Sequence, residues 1–121
     1  ERYTVSLHDA LPILWQKPVA FADLVYTSTK SFPPDERFGL TNQMRRASNS
    51  ISSNIAEGSA RPPADFAKFL GYSSGSLYET LTQAIVARNQ GFLSAEVYQR
   101  VYLSAEEISR MLSGLRGSLD R

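Results

Sequence analysis

The side chains of this sequence best suited to chemistry fall between positions 43 and 79. Gln43, Arg46, Ser50, Asn54 and Glu57 recur at spacings of three and four, which on a helix lays them in one polar stripe. Arg45, Arg61 and Lys68 add cations able to donate to phosphate oxygens, and Glu79 offers a counter-charge from a later segment. Two chemistries suit such a set: a polar network that locks helices together, and a cationic surface that grips nucleic acid. Arg45 and Arg46 are adjacent, so they project about 100° apart around a helix and cannot share one task. In an antiparallel helix pair closed near residue 60, Arg46 comes opposite residues 74–77, within reach of Glu79. The expectation is an internal Arg46–Glu79 ion pair, with Ser50, Asn54 and Glu57 completing a structural polar network. Were those three to face solvent, they would serve as a recognition surface instead. Arg45, Arg61 and Lys68 are left as candidate nucleic-acid contacts, against the plainer alternative of a solvated face.

Signs of catalysis are sparse. The chain has no cysteine, which excludes disulfides, thiolate chemistry and cysteine-based metal centres. Its one histidine is His8. There is no glycine-rich phosphate loop, no histidine pair and no Glu-x-x-His of the di-iron bundles. Glu106 and Glu107 beside Ser104 and Ser109 read as an exposed helix face. Gly71 and Gly75 among Ser73, Ser74 and Ser76 read as points of close helix packing. The expectation is a non-enzymatic protein without metal or other cofactor. Thirteen Lys and Arg against 12 Asp and Glu leave a net charge of +1, so any grip on nucleic acid must be local. With 42% hydrophobic and 21% charged residues, one core is expected in a soluble, cytoplasmic protein; no apolar run nears the roughly 18–20 residues of a membrane span.

The elements that position these residues are helical throughout. Leu14, Phe21, Leu24, Val25 and Ser28 mark one face of a first helix over 14–30, with Pro18 either in its first turn or kinking it. Ser31-Phe32-Pro33-Pro34-Asp35 stops it. A second helix over 41–57 has Leu40, Met44, Ala47, Ile51 and Ile55 as its apolar stripe, and Gly58 is its expected stop. Pro62-Pro63 and Asp65 open a third, which runs to Asn89 with Phe66, Phe69, Leu70, Leu77, Leu81 and Ile85 inward and ends at Gly91. Ser94 caps a fourth helix over 95–119. Four helices on short connections predict an all-α, antiparallel up-down-up-down four-helix bundle over residues 13–121. Residues 1–12 read as a leader apart from it. Their string SLHDALPI looks like translated sequencing-adaptor read-through, and neither His8 nor Leu11 is expected in the core.

Residues 36–70 read ERFGLTNQMRRASNSISSNIAEGSARPPADFAKFL. Here the sequence resembles a four-helix-bundle family first named for proteins encoded in intervening sequences of 23S ribosomal RNA genes, also known as S23 ribosomal proteins. The family pattern is Phe-Pro, Glu-Arg-aromatic-Gly-Leu, Gln, Arg-Arg-Ala, Ser-Ile, Asn-Ile-Ala-Glu-Gly, Arg, then Phe and Phe-Leu. This chain supplies Phe32-Pro33, Glu36 to Leu40, Gln43, Arg45 to Ala47, Ser50-Ile51, Asn54 to Gly58, Arg61, Phe66 and Phe69-Leu70. It departs at Pro18, where relatives carry a helix former, and at Tyr72-Ser73-Ser74, which replaces a more apolar-basic turn. The resemblance implies a ring-like homopentamer with no known catalytic activity. It extends to accessory proteins of diversity-generating retroelements, which implies RNA or DNA and a reverse transcriptase as partners.

Overall fold

A computed structural model describes residues 12–119, and among them it has four α-helices, one 3-10 turn and no strand. The helices are α1 (Pro12–Thr29), α2 (Leu40–Ser59), α3 (Pro63–Asn89) and α4 (Ala95–Leu119), and the 3-10 turn is Pro34–Glu36. Consecutive helices pack on one another, and α1 also packs on α4, so the four enclose one core. Phe21 and Val25 of α1, Met44, Ile51 and Ile55 of α2, Leu70 and Leu77 of α3, and Val101, Ile108 and Leu112 of α4 fill it. Each fully buried side chain of this size contributes roughly 1.5–3 kcal/mol. His8 and Leu11 lie outside the described residues, whereas Pro12, the last residue of the expected leader, already belongs to α1.

The chain's stops and caps explain most of the boundaries. Glu36 serves α2 twice: its Oε1 accepts the Leu40 amide at 3.1 Å and its carbonyl accepts the Gly39 amide at 3.0 Å. Orphan amides of the first turn are thus satisfied before the helix begins. At the end of α3, Gly91 takes φ 82°, the left-handed conformation that costs glycine least. The Phe92 amide reaches the Ala87 carbonyl at 2.8 Å and the Gly91 amide the Arg88 carbonyl at 2.9 Å, a Schellman closure. It folds Phe92 back onto Phe32, ring centroids 5.6 Å apart. The Ser94 hydroxyl then accepts the Val97 amide at 3.1 Å and caps α4.

One open alternative is settled and two expectations are corrected. Pro18 is not in a first turn, because α1 begins at Pro12 and carries Pro18 buried in its interior, the position of the kinking alternative. Ile85 is 39% exposed, and Thr80, Ala84 and Ala87 take the inward positions, since α3 offers small residues where α2 lies close. Gly58 does not stop α2, which runs on to Ser59. It is buried, and a Cβ there would lie 2.6 Å from the Phe69 Cβ and 3.0 Å from the Phe66 Cδ1.

Gly58 is therefore a point of close approach between α2 and α3. Alanine there would gain up to about 1 kcal/mol of helix propensity but would strike an atom tied directly to the α3 backbone. The expected net effect of Gly58→Ala is a loss of about 1–2 kcal/mol, read as a thermal-unfolding midpoint lowered by roughly 5–10 °C. An unchanged or higher midpoint would show that the helices yield at this point.

Candidate nucleic-acid interface

The polar stripe of α2 borders α3 along an open cleft of about 290 Å³. Asn42, Gln43, Arg46, Ala47 and Ser50 line it from α2, and Glu79 from α3. Two of these lining residues, Ala47 and Ser50, are small. Beneath it the helices are joined by a buried bond, Ser73 Oγ donating to the Ile51 carbonyl at 2.8 Å. Sequence reasoning treated Ser73 only as a packing residue. Its register between Leu70 and Leu77 was the available signal, because a hydroxyl on a core face must find an acceptor.

Arg46 and Glu79 do share this cleft, yet no ion pair joins them. Glu79 Oε2 instead accepts the Gln83 side-chain amide at 3.4 Å on its own helix. Arg46 is exposed, and among the described residues it has neither a salt bridge nor a side-chain hydrogen bond. The expected polar network resolves into local contacts. Half-buried Asn54 donates to the Ser50 carbonyl one turn back at 2.8 Å, and Glu57 pairs with Arg61 at 3.2 Å across one turn. The partner that Glu57 needs near a helix C-terminus is thus Arg61, at the surface.

Arg45 turns away from the core stripe as expected, but α1 occupies that side. Its Nε donates to Thr29 Oγ1 at 2.9 Å, its Nη2 to the Tyr26 carbonyl at 3.4 Å, and its guanidinium lies 4.7 Å from the Tyr26 ring centroid. Asn49 adds a bond to the Tyr26 hydroxyl at 3.0 Å. A cation placed against the Tyr26 carbonyl in the last turn of α1 suits the negative end of the helix dipole. Arg45 is therefore a strut between α1 and α2. The Arg61 guanidinium stacks over Phe69, 4.8 Å from its centroid, and exposed Lys68 is the residue next to that ring. Arg46, Arg61 and Lys68 are thus three exposed cations carried by α2, α3 and the link between them. Among the described residues, no group of three or more His, Cys, Asp or Glu is placed to hold a metal ion.

These assignments separate two neighbouring residues. Arg45→Ala is expected to lower stability by about 1–2 kcal/mol in chemical denaturation, since it removes charged hydrogen bonds that tie two helices. Arg46→Ala is expected to stay within about 0.5 kcal/mol of the parent. Equal losses from the two substitutions would show that Arg46 is also held within the fold.

Comparison with known proteins agrees with this architecture. A family model described as 23S rRNA-intervening sequence protein matches residues 12–114. No curated protein matches the chain. The fold is similar to the crystal structure of a protein with unknown function from the S23 ribosomal protein family of Bacteroides thetaiotaomicron VPI-5482. The TM-score is 0.79 at 21% sequence identity, over 88% of this chain and 96% of that one.

Proposed function

The chain belongs to the family of 23S rRNA-intervening sequence proteins, and on that premise we propose that it is a non-catalytic, oligomeric protein that binds nucleic acid through its α2–α3 face. The observation that carries this reading is Arg46, an exposed cation without an internal partner, set among the amides of Asn42 and Gln43 and the hydroxyl of Ser50. A guanidinium grips phosphate by paired charge-assisted bonds, while amides and hydroxyls supply further donors to backbone oxygens. Arg61 and Lys68 are further exposed cations outside the cleft. Arg45, spent on α1, is replaced by Arg46 in the set proposed to touch phosphate.

A protomer of net charge +1 has no field to gather a polyanion alone. Several copies presenting the same cations side by side multiply the phosphate contacts without any new residue. The helices are read as an antiparallel up-down-up-down bundle, supported by the short link at residues 60–62 between α2 and α3. A cytoplasmic homopentamer is favoured by the family resemblance. A second reading, a protein-interaction scaffold, draws on exposed Phe38, Tyr72, Tyr78 and Tyr102. A reverse transcriptase is one partner that would use both kinds of surface.

Retention on single-stranded RNA and on DNA, measured against salt, tests the binding reading. About four neutralised phosphates imply a log–log slope near −3 on single strands, and replacing Arg46, Arg61 and Lys68 by alanine should flatten it by about 2. The oligomer should survive those changes. Absent or salt-insensitive binding by the intact protein would move the function to the scaffold.

A further inference from the structure

Phe38 is 84% exposed, more than any other large apolar side chain among the described residues. It does not sit on a loose loop. Pro33 and Pro34 fix the backbone before it, the Glu36, Arg37 and Gly39 amides are bonded in turn to Pro33, Pro34 and Glu36 carbonyls, and the Glu36 carboxylate is committed to α2. A backbone held this firmly has little conformational freedom of its own to lose on binding. Arg37 accompanies it, with its guanidinium 5.8 Å from the ring centroid.

Elsewhere on the same molecule an apolar groove of about 190 Å³ opens between α3 and α4, walled by Leu77, Tyr78, Leu81, Tyr102 and Ala105. Tyr78 and Tyr102 remain 56% and 38% exposed. The Tyr78 hydroxyl is tied to Ser109 Oγ at 3.0 Å, which holds one wall in place. A cavity of roughly 150 Å³ accepts a benzene ring, so the groove has room for a phenyl side chain. Glu106 stands at its rim, engaged only by an exposed one-turn pair with Arg110 at 3.6 Å. Knob and groove match in size, apolarity and flanking charge.

We infer that Phe38 of one copy seats in the α3–α4 groove of a second copy, with Arg37 set against Glu106. The inference deepens the oligomeric reading above and rests on it. Because knob and groove are different surfaces, the contact runs head to tail, and repetition closes a ring when the rotation permits. A buried aromatic anchor with a charged rim is the composition expected of an interface centre.

Sedimentation velocity across a concentration series tests it with the full chain and four variants: Phe38→Ala, Arg37→Glu, Glu106→Arg and the double charge reversal. Phe38 and both charges are exposed, so circular dichroism should match the parent, and the thermal midpoint should match it at concentrations where the parent is dissociated. Phe38→Ala should weaken assembly by at least about thirtyfold, the size of an interface hot spot. Each charge reversal alone should weaken it, and the two together should restore it. An oligomer that persists undiminished in Phe38→Ala would overturn this interface while leaving the oligomeric reading standing. A parent chain that stays monomeric at every concentration would remove both. Loss of polyuridylate binding in Phe38→Ala with assembly unchanged would make Phe38 a base-stacking contact and overturn the inference.

Discussion

Where Gly58 meets Phe69, the two helices approach so closely that not even a methyl group fits between them. That contact fixes the relation of α2 to α3, and much of the molecule follows from it. It brings Phe66 and Phe69 over the end of α2 and lets Arg61 stack on Phe69. Farther along, it lets the Ser73 hydroxyl reach the Ile51 carbonyl inside the core. The same two helices then border the open cleft at Ala47, Ser50 and Arg46. One pair of helices thus supplies both the firmest packing and the most polar opening.

The adjacent arginines show how a fold allots like residues to unlike work. Arg45 gives its guanidinium to the last turn of α1, where the helix dipole favours a cation. Arg46, one position on, keeps its charge for solvent or a ligand. A near-neutral protein has few cations to spare, so the division matters: a cation fixed inside cannot also neutralise a phosphate. Arg61 stands between these extremes, paired with Glu57 and stacked on Phe69 but still partly exposed. A phosphate there would compete with a one-turn surface pair worth only about 0.3–0.5 kcal/mol.

Much of the fold was legible because its punctuation is chemical and local. Gly91 ends α3 and Ser94 caps α4 as their residue types require. Glycine at Gly58 was misread as a stop because its other use, close approach, depends on a partner helix that periodicity does not name. Periodicity likewise placed Arg45 off the core stripe without revealing that α1 flanks that side. Arg46 and Glu79 share one cleft, as their register requires, but Glu79 bonds to Gln83 on its own helix and no ion pair joins the two. Ser73 carries its sign in the sequence, a hydroxyl in the Leu70–Leu77 stripe that must find an acceptor inside the core. The family motif also gains a physical sense, since its first Glu caps α2 and its Asn-Ile-Ala-Glu-Gly ends in the glycine that lets α3 come close.

The seam between α1 and α4 differs in kind from the other three contacts. Its Lys17–Glu107 bridge spans 90 positions of sequence, whereas α2 and α3 meet across residues 60–62. Loop-closure entropy grows with the length enclosed, so this seam costs the chain most to close, and its exposed ion pair returns at most about 1 kcal/mol. The edge is closed by side chains of the common core, Phe21 and Val25 from α1 and Val101, Ile108 and Leu112 from α4, with the ion pair outside them and a proline inside α1. Any opening there would have to draw Phe21 and Val25 of α1, both all but fully buried, out of the core shared by all four helices, so apolar burial rather than the ion pair keeps α1 in place.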